Sequence, residues 1–131
     1  MNGSVLVVDD DPDFRRLAGR VLAAFGLAVA GETETAAAAL PAAAALRPGA
    51  VLVDVGLPDG DGIALARELA ALPWRPRVVL TSTDPEAATT AEVRHSGAQA
   101  FVPKDQLLNA ELHQLLGCAR RRAAHRLIAG S

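Results

Sequence analysis

Short apolar runs alternate with longer segments of helical period along this chain, and that alternation limits the fold more than any other feature. The first run, Ser4–Val8, is rich in Val and is followed by Asp9, Asp10, Asp11 and Pro12. A run apolar on both faces suits a strand that helices cover on both sides of a sheet. Asp11 is placed to N-cap the next segment, with Pro12 at the first helical position, where its missing N–H costs nothing. Phe14, Leu17, Ala18, Val21, Leu22 and Phe25 then recur at helical spacing up to a stop at Gly26. Further strands are expected at 27–30, 50–53, 77–80 and 99–102. Helices are expected from Thr33 or Thr35 to about Leu46, from Ile63 to Leu69, from Asp84 and Pro85 to about His95, and from Asp105 to at least Cys118. Pro41 lies inside the second helix and is expected to kink or split it. Pro103 cannot donate to a sheet ladder, so the last strand is expected at an edge. Five strands alternating with five helices through short connections predict an α/β domain, a doubly wound five-stranded parallel sheet covered on both faces.

At 131 residues the chain has room for one hydrophobic core. A single domain over 1–131 is expected, with a core at about 4–117 and 118–131 extending the last helix. Thirteen basic residues against fifteen acidic ones leave a formal net charge of -2, which supplies no global field to hold nucleic acid or an anionic membrane. Cys118 is alone and cannot form an internal disulfide, and no charged segment leading into a long apolar run opens the chain. The apolar stretch 35–46 is Ala-rich, interrupted by Pro41 and too short to span a bilayer. The expected compartment is the cytoplasm.

In an open parallel sheet the functional crevice lies at the carboxyl ends of the strands, so the polar residues there carry the chemistry. The first predicted strand is followed by Asp9 and Asp10, the third ends at Asp54, the fourth at Thr81 and the fifth at Lys104. Taken singly these have ordinary explanations: a helix cap, turn chemistry before a Gly- and Pro-rich loop, structural or surface positions. Asp11 already supplies the cap, however, and all five residues fall on one predicted edge. Three carboxylates there repel one another unless a cation sits among them, and hard oxygen ligands suit Mg²⁺ or Mn²⁺. Lys104 is the only lysine among the thirteen basic residues, which suggests a place where arginine would not serve, although one such residue can also survive by chance.

The run Val-Leu-Val-Val-Asp9-Asp10, the stretch from Asp54 through Gly56, Leu57, Pro58, Asp59, Gly60 and Asp61 to Gly62, the triplet Leu80-Thr81-Ser82, and Phe101-Val102-Pro103-Lys104 together resemble the signatures of the response regulator receiver domain of two-component signalling. The resemblance covers essentially 4–117 and implies a flavodoxin-like sheet of strand order 2-1-3-4-5. It implies that Asp54 is the phosphoacceptor, attacking the phosphoryl group of a phosphohistidine in a sensor histidine kinase. Asp10, Asp54 and the backbone carbonyl of Gly56 would hold Mg²⁺, with Asp9 helping directly or through water. Lys104 would pair with Asp54 or a phosphoryl oxygen, and Thr81 would hydrogen-bond the attached phosphoryl group. Phe101 would be the switch aromatic, turning inward as Thr81 moves, and the responsive surface would be the fourth helix, fifth strand and fifth helix. The implied partners are the kinase and a downstream output protein or further C-terminal output domain, with a homodimer through that surface or the last helix as another option. The family often has a cis-linked proline directly after the lysine, whereas here Pro103 precedes Lys104 and Asp105 follows it. Gly56 also offers no side chain at a position that influences phosphoryl lifetime in this family.

Two other classes compete. A Mg²⁺-dependent phosphohydrolase also uses a strand-end aspartate nucleophile, but it normally has a second acidic residue two positions later, where this chain has Gly56. A phosphorylation-independent interaction module would not need the intact set of Asp9, Asp10, Asp54, Thr81 and Lys104. His95, His113 and His125 show no metal spacing with Cys118 and read as surface residues, and Trp74 reads as a loop residue covering the core. The Arg120-Arg121-Arg122 run with Arg126 reads as a solvated helix end favoured by the macrodipole.

Overall fold

A computed structural model of the chain describes residues 3–108 and 115–116. Its elements in chain order are β1 (Ser4–Val8), α1 (Pro12–Ala24), β2 (Ala28–Thr33), α2 (Ala36–Leu46), β3 (Ala50–Asp54), the two-residue strands β4 (Gly56–Leu57) and β5 (Gly60–Asp61), α3 (Gly62–Ala70), β6 (Arg77–Ser82), α4 (Thr90–Ser96), β7 (Ala100–Pro103) and a 3-10 turn at Lys104–Gln106. The main sheet has the order β2-β1-β3-β6-β7 with every pairing parallel, while β4 and β5 form a separate antiparallel ladder. Counting main-sheet strands alone, this is the expected order 2-1-3-4-5. It puts β7, with Pro103, at an edge, where the missing N–H breaks no ladder.

Alternation along the strands divides the core into two layers. Val5, Val7, Leu52 and Val79 face Phe14, Ala18, Val21 and Leu22 of α1, with Leu107 and Leu116 in the same cluster. Leu6, Val8, Val51, Val53, Val78 and Leu80 face the other way, onto Ala39 and Ala43 of α2 and Ile63, Leu65, Ala66 and Leu69 of α3. The central strand β3 is buried along its whole length, which is why it reads as a continuous apolar run ending in a carboxylate. Trp74 covers the second layer, its Nε1–H donating to the Pro48 carbonyl at 2.9 Å and its ring lying 4.3 Å from the Arg47 guanidinium carbon. No helix among the described residues is long and apolar enough to cross a membrane.

Two expectations about the helices meet a different outcome, the second of them in part. Asp84 and Pro85 do not start the fourth helix. Asp84 Oδ1 accepts the Glu86 N–H at 2.9 Å in a local turn, and α4 begins at Thr90 behind a reciprocal capping box in which Thr89 Oγ1 accepts from the Glu92 N–H and Glu92 Oε1 from the Thr89 N–H. The box satisfies two otherwise orphaned donors, more than the aspartate alone offers, so the helix starts there. Nor does Pro41 split α2, which is one helix of 11 residues; buried Ala39 and Ala43 pack it to the sheet on either side of the proline. Four α-helices are complete among the described residues. The fifth, expected from Asp105, lies mostly outside them, as do His113, Cys118, the Arg120–Arg122 run, His125 and Arg126. Among the described residues every peptide bond is trans, including Val102–Pro103.

The start of α2 is held from a distance. Thr35 Oγ1 accepts the Ala38 N–H at 3.1 Å, while Asp59, from the turn between β4 and β5, accepts the Ala36 N–H at 2.8 Å and the Ala37 N–H at 3.0 Å. These two backbone hydrogen bonds hold the Asp59 carboxyl below its ordinary value of 3.8. A depressed carboxyl pKa contributes stability that is present above pH 3.8 and lost as the pH falls through the lower folded value. Asp59→Ala is therefore expected to melt at a lower temperature than the unaltered protein near neutral pH, and the gap is expected to narrow as the pH drops below 3.8. Thermal melts followed by circular dichroism across that range check it; a gap that does not change with pH would assign the effect to uncharged contacts instead.

Candidate functional site at the carboxyl edge of the sheet

Because β1, β3, β6 and β7 are parallel, their carboxyl ends share one edge. The register pairs Val8 with Val53, Asp54 with Thr81 and Thr81 with Val102, so the residues that follow β1 stand beside Asp54 and Thr81 lies between β3 and β7. Asp9, Asp10 and Asp54 each offer a carboxylate oxygen, and these oxygens lie within 4.8 Å of one another. Asp9 is fully buried, Asp54 is 7 % exposed and Asp10 faces solvent. Small Asx turns shape both loops: Asp9 Oδ1 accepts the Asp11 N–H at 2.9 Å, and Asp54 Oδ1 accepts the Gly56 N–H at 3.1 Å.

Lys104 reaches this cluster from the end of β7. Its Nζ lies 2.8 Å from Asp9 Oδ2 and 3.6 Å from Asp54 Oδ2, and 4.4 Å from the centroid of the Phe14 ring, so the ammonium sits between two carboxylates and an aromatic face. Burial pushes the Asp9 carboxyl up from its ordinary value, and the Asp54 charge adds to that; the interaction with Lys104 and the Asp11 N–H offset only part of it. For Lys104 burial opposes the charged form, yet Asp9, Asp54 and Asp11 together more than offset it and hold the ammonium above the ordinary lysine value. Asp9 Oδ2 is buried and has no aligned hydrogen-bond donor, only the nearby Lys104 charge. Three carboxylates that converge at one edge, two of them buried, are the donor set that a hard divalent cation fits.

Thr81 is placed next to Asp54 but its hydroxyl is engaged elsewhere. It is fully buried, and Oγ1 donates to the Val102 carbonyl at 2.7 Å. Ser82, also buried, accepts the Asp84 N–H at 3.1 Å. Phe101, paired with Leu80 across the ladder, is half-buried against a groove that Ala88, Val93 and Ala98 help to line. His95 is exposed.

Three residues make contacts at the site that the sequence does not reveal. Phe14 reads there as an ordinary core position of a helix, although its ring also carries the Lys104 ammonium. Arg15, one of twelve arginines, turns back to donate to the Asp9 carbonyl at 2.6 Å. Gly62 reads as part of a loop, but its N–H donates to the Val55 carbonyl at 2.9 Å, and a Cβ there would stand 2.2 Å from the Asp54 carbonyl oxygen.

Residues 5–116 match the family model described as the response regulator receiver domain. The chain belongs to that family. The receiver is 34% identical over 119 residues to the probable transcriptional regulatory protein NarL of Mycobacterium tuberculosis, covering 90% of this chain and 55% of that protein. It is 33% identical over 104 residues to protein-glutamate methylesterase/protein-glutamine glutaminase 3 of Hahella chejuensis, covering 78% of this chain and 30% of that one. It thus spans about half, or less, of the length of these relatives. Among solved structures, the signal receiver domain of the putative response regulator NarL from Mycobacterium tuberculosis aligns with TM-score 0.75 and 32% identity over 88% of this chain and 98% of that one. The response regulator domain of Thermotoga maritima CheB aligns with TM-score 0.74 at 24% identity over 88% of this chain and 94% of that one, a likeness of fold. This domain is a phosphoacceptor module of two-component signalling.

Proposed function

We propose that this receiver takes a phosphoryl group onto Asp54 from the phosphohistidine of a sensor histidine kinase, with Mg²⁺ or Mn²⁺ held by Asp10, Asp54 and the Gly56 carbonyl and with Asp9 binding directly or through water. The convergence of the Asp9, Asp10 and Asp54 oxygens within 4.8 Å, beside a buried Asp9 Oδ2 that lacks an aligned donor, carries this reading. Asp54 Oδ1 is tied to the Gly56 N–H, which leaves Oδ2, facing Lys104, to attack phosphorus as the P–N bond breaks and the imidazole departs with the bonding pair. When bound, the ion offsets the carboxylate charge and the charge on the phosphoryl oxygens. Lys104, 3.6 Å from Asp54 Oδ2, stands where negative charge is transferred and pairs with it as a point charge.

The same chemistry supplies a switch. For Thr81 to bond an attached phosphoryl oxygen, its hydroxyl must leave the Val102 carbonyl, exchanging a neutral hydrogen bond for a charge-assisted one about twice as strong. Phe101 adjoins Val102 in β7, so that turn frees space beside the ring and biases the surface of α4 and β7 toward a second arrangement. Beryllofluoride, a phosphoryl mimic, is expected to shift the amide resonances of α4 and β7 in the unaltered protein and much less in Thr81→Ala. An equal response in both would leave Thr81 and Phe101 as core residues.

The chain acts in this setting as a cytoplasmic switch over 1–131, without turnover of a free metabolite, and its output is a separate protein or a further domain. Intact mass after treatment with acetyl phosphate tests the core of the proposal: one phosphate is expected with Mg²⁺ present, and almost none after chelation. A protein that gains no phosphate, or gains it equally with a chelator, would overturn it.

A further inference from the structure

We infer that Arg15 is a positioning residue for the metal-binding loop: its guanidinium, anchored on Glu32, holds the peptide between Asp9 and Asp10 so that Asp10 is aimed at the cation. This rests on the metal site proposed above. Arg15 leaves the first turn of α1 and folds back under that loop, where Nη1 donates to the Asp9 carbonyl at 2.6 Å. Nε donates to Glu32 Oε1 at 2.9 Å and Nη2 lies 3.9 Å from Glu34 Oε2, so the planar fork spans the end of β2 and the loop after β1. The side chain is 13% exposed, whereas those of Glu32 and Glu34 are 45% and 69% exposed. The arginine is the packed member of the group.

The Asp9 carbonyl needs this partner. The β1–β2 register ends at Val8 with Thr33, and the last backbone bond is the Asp9 N–H to the Thr33 carbonyl at 3.0 Å. Beyond it the peptide has left the sheet, and a guanidinium replaces the missing strand. Asp9 is fixed separately through Oδ1 on the Asp11 N–H and Oδ2 beside Lys104. Asp10, exposed, takes its direction from the peptide that precedes it.

Charge and positioning predict opposite signs, which makes the role decidable. A guanidinium near the site repels a divalent ion, so by charge alone Arg15→Met would tighten Mg²⁺ binding. Loss of a group that orients a ligand loosens it, by about tenfold or more. The experiment is Mg²⁺ titration of the metal-free protein by amide NMR, for the unaltered chain, Arg15→Met and Arg15→Lys, with the Asp10 and Asp11 line widths also recorded before metal is added. About tenfold weaker binding in Arg15→Met, with those two amides broadened, is the expected result. Unchanged or tighter binding there overturns the inference while leaving the metal site standing. If Arg15→Met does not fold, Arg15→Lys decides: it keeps charge and stem but cannot bridge the Asp9 carbonyl and Glu32 together, so the same weakening is expected and an unaltered affinity overturns the role. An unaltered protein with no saturable response to Mg²⁺ removes the metal site itself, and the positioning role with it.

Discussion

Asp54→Asn is expected to gain no phosphate mass from acetyl phosphate and Mg²⁺, under conditions in which the unaltered protein gains one. The substitution removes the anionic oxygen that attacks phosphorus and one of three negative charges that would hold the ion, yet changes the shape of the side chain little. A carboxamide oxygen still accepts the Gly56 N–H now bound at 3.1 Å to Asp54 Oδ1, and Lys104 keeps Asp9 at 2.8 Å. Removing a charge from a cluster in which Asp9 is already pushed toward its neutral form also relieves repulsion. The variant is therefore expected to fold and to melt no lower than the unaltered chain, so that lost phosphorylation reports chemistry and not unfolding. A phosphate signal of undiminished size in Asp54→Asn would move the acceptor to another residue.

The second large effect is structural. Gly62→Ala is expected to cost about 3 kcal/mol or more of stability and to distort the loop that follows Asp54. A Cβ at Gly62 would stand 2.2 Å from the Asp54 carbonyl oxygen, 2.7 Å from the Val55 Cα and 2.9 Å from the Asp54 carbonyl carbon. All three are backbone atoms of the end of β3 or the residue after it, and none can step aside as a flexible side chain would. The start of α3 would have to withdraw from β3, weakening the Gly62 N–H to Val55 carbonyl bond at 2.9 Å and shifting the loop that carries Gly56. Gly60→Ala is the control: its Cβ would meet the Ala36 Cβ at 3.5 Å, ordinary van der Waals contact, and it is expected to be nearly neutral. Urea denaturation of the two variants side by side settles the point. Equal midpoints would mean that α3 can retreat from Asp54 without loss.

Much of this was legible along the chain because each part is encoded within a few residues. An apolar run on both faces specifies a covered strand, and Asp11 with Pro12 specifies a helix start. Parallel strands then put Asp9, Asp10, Asp54, Thr81 and Lys104 on one edge whatever the details of packing, because every carboxyl end points the same way. The start of α4 was also encoded locally, in Thr89 and Glu92, but an aspartate five residues before Thr89, followed by proline, offered a competing signal that only the folded backbone resolved.

What depends on approach between elements has no such local signature. Asp59 closes α2 across 23 residues of chain, Arg15 reaches the Asp9 carbonyl, and the Thr81 hydroxyl turns to Val102 and not to Asp54. The sequence by itself determined the strand and helix order, the edge on which the acidic residues and the lysine meet, and the family to which they belong, since periodicity and strand direction are properties of the local backbone. Only the tertiary structure decided which backbone groups those side chains hold, and why residue 62 must be glycine, because such contacts arise from the distance at which α1, α3 and the sheet pack, which no short stretch of chain contains.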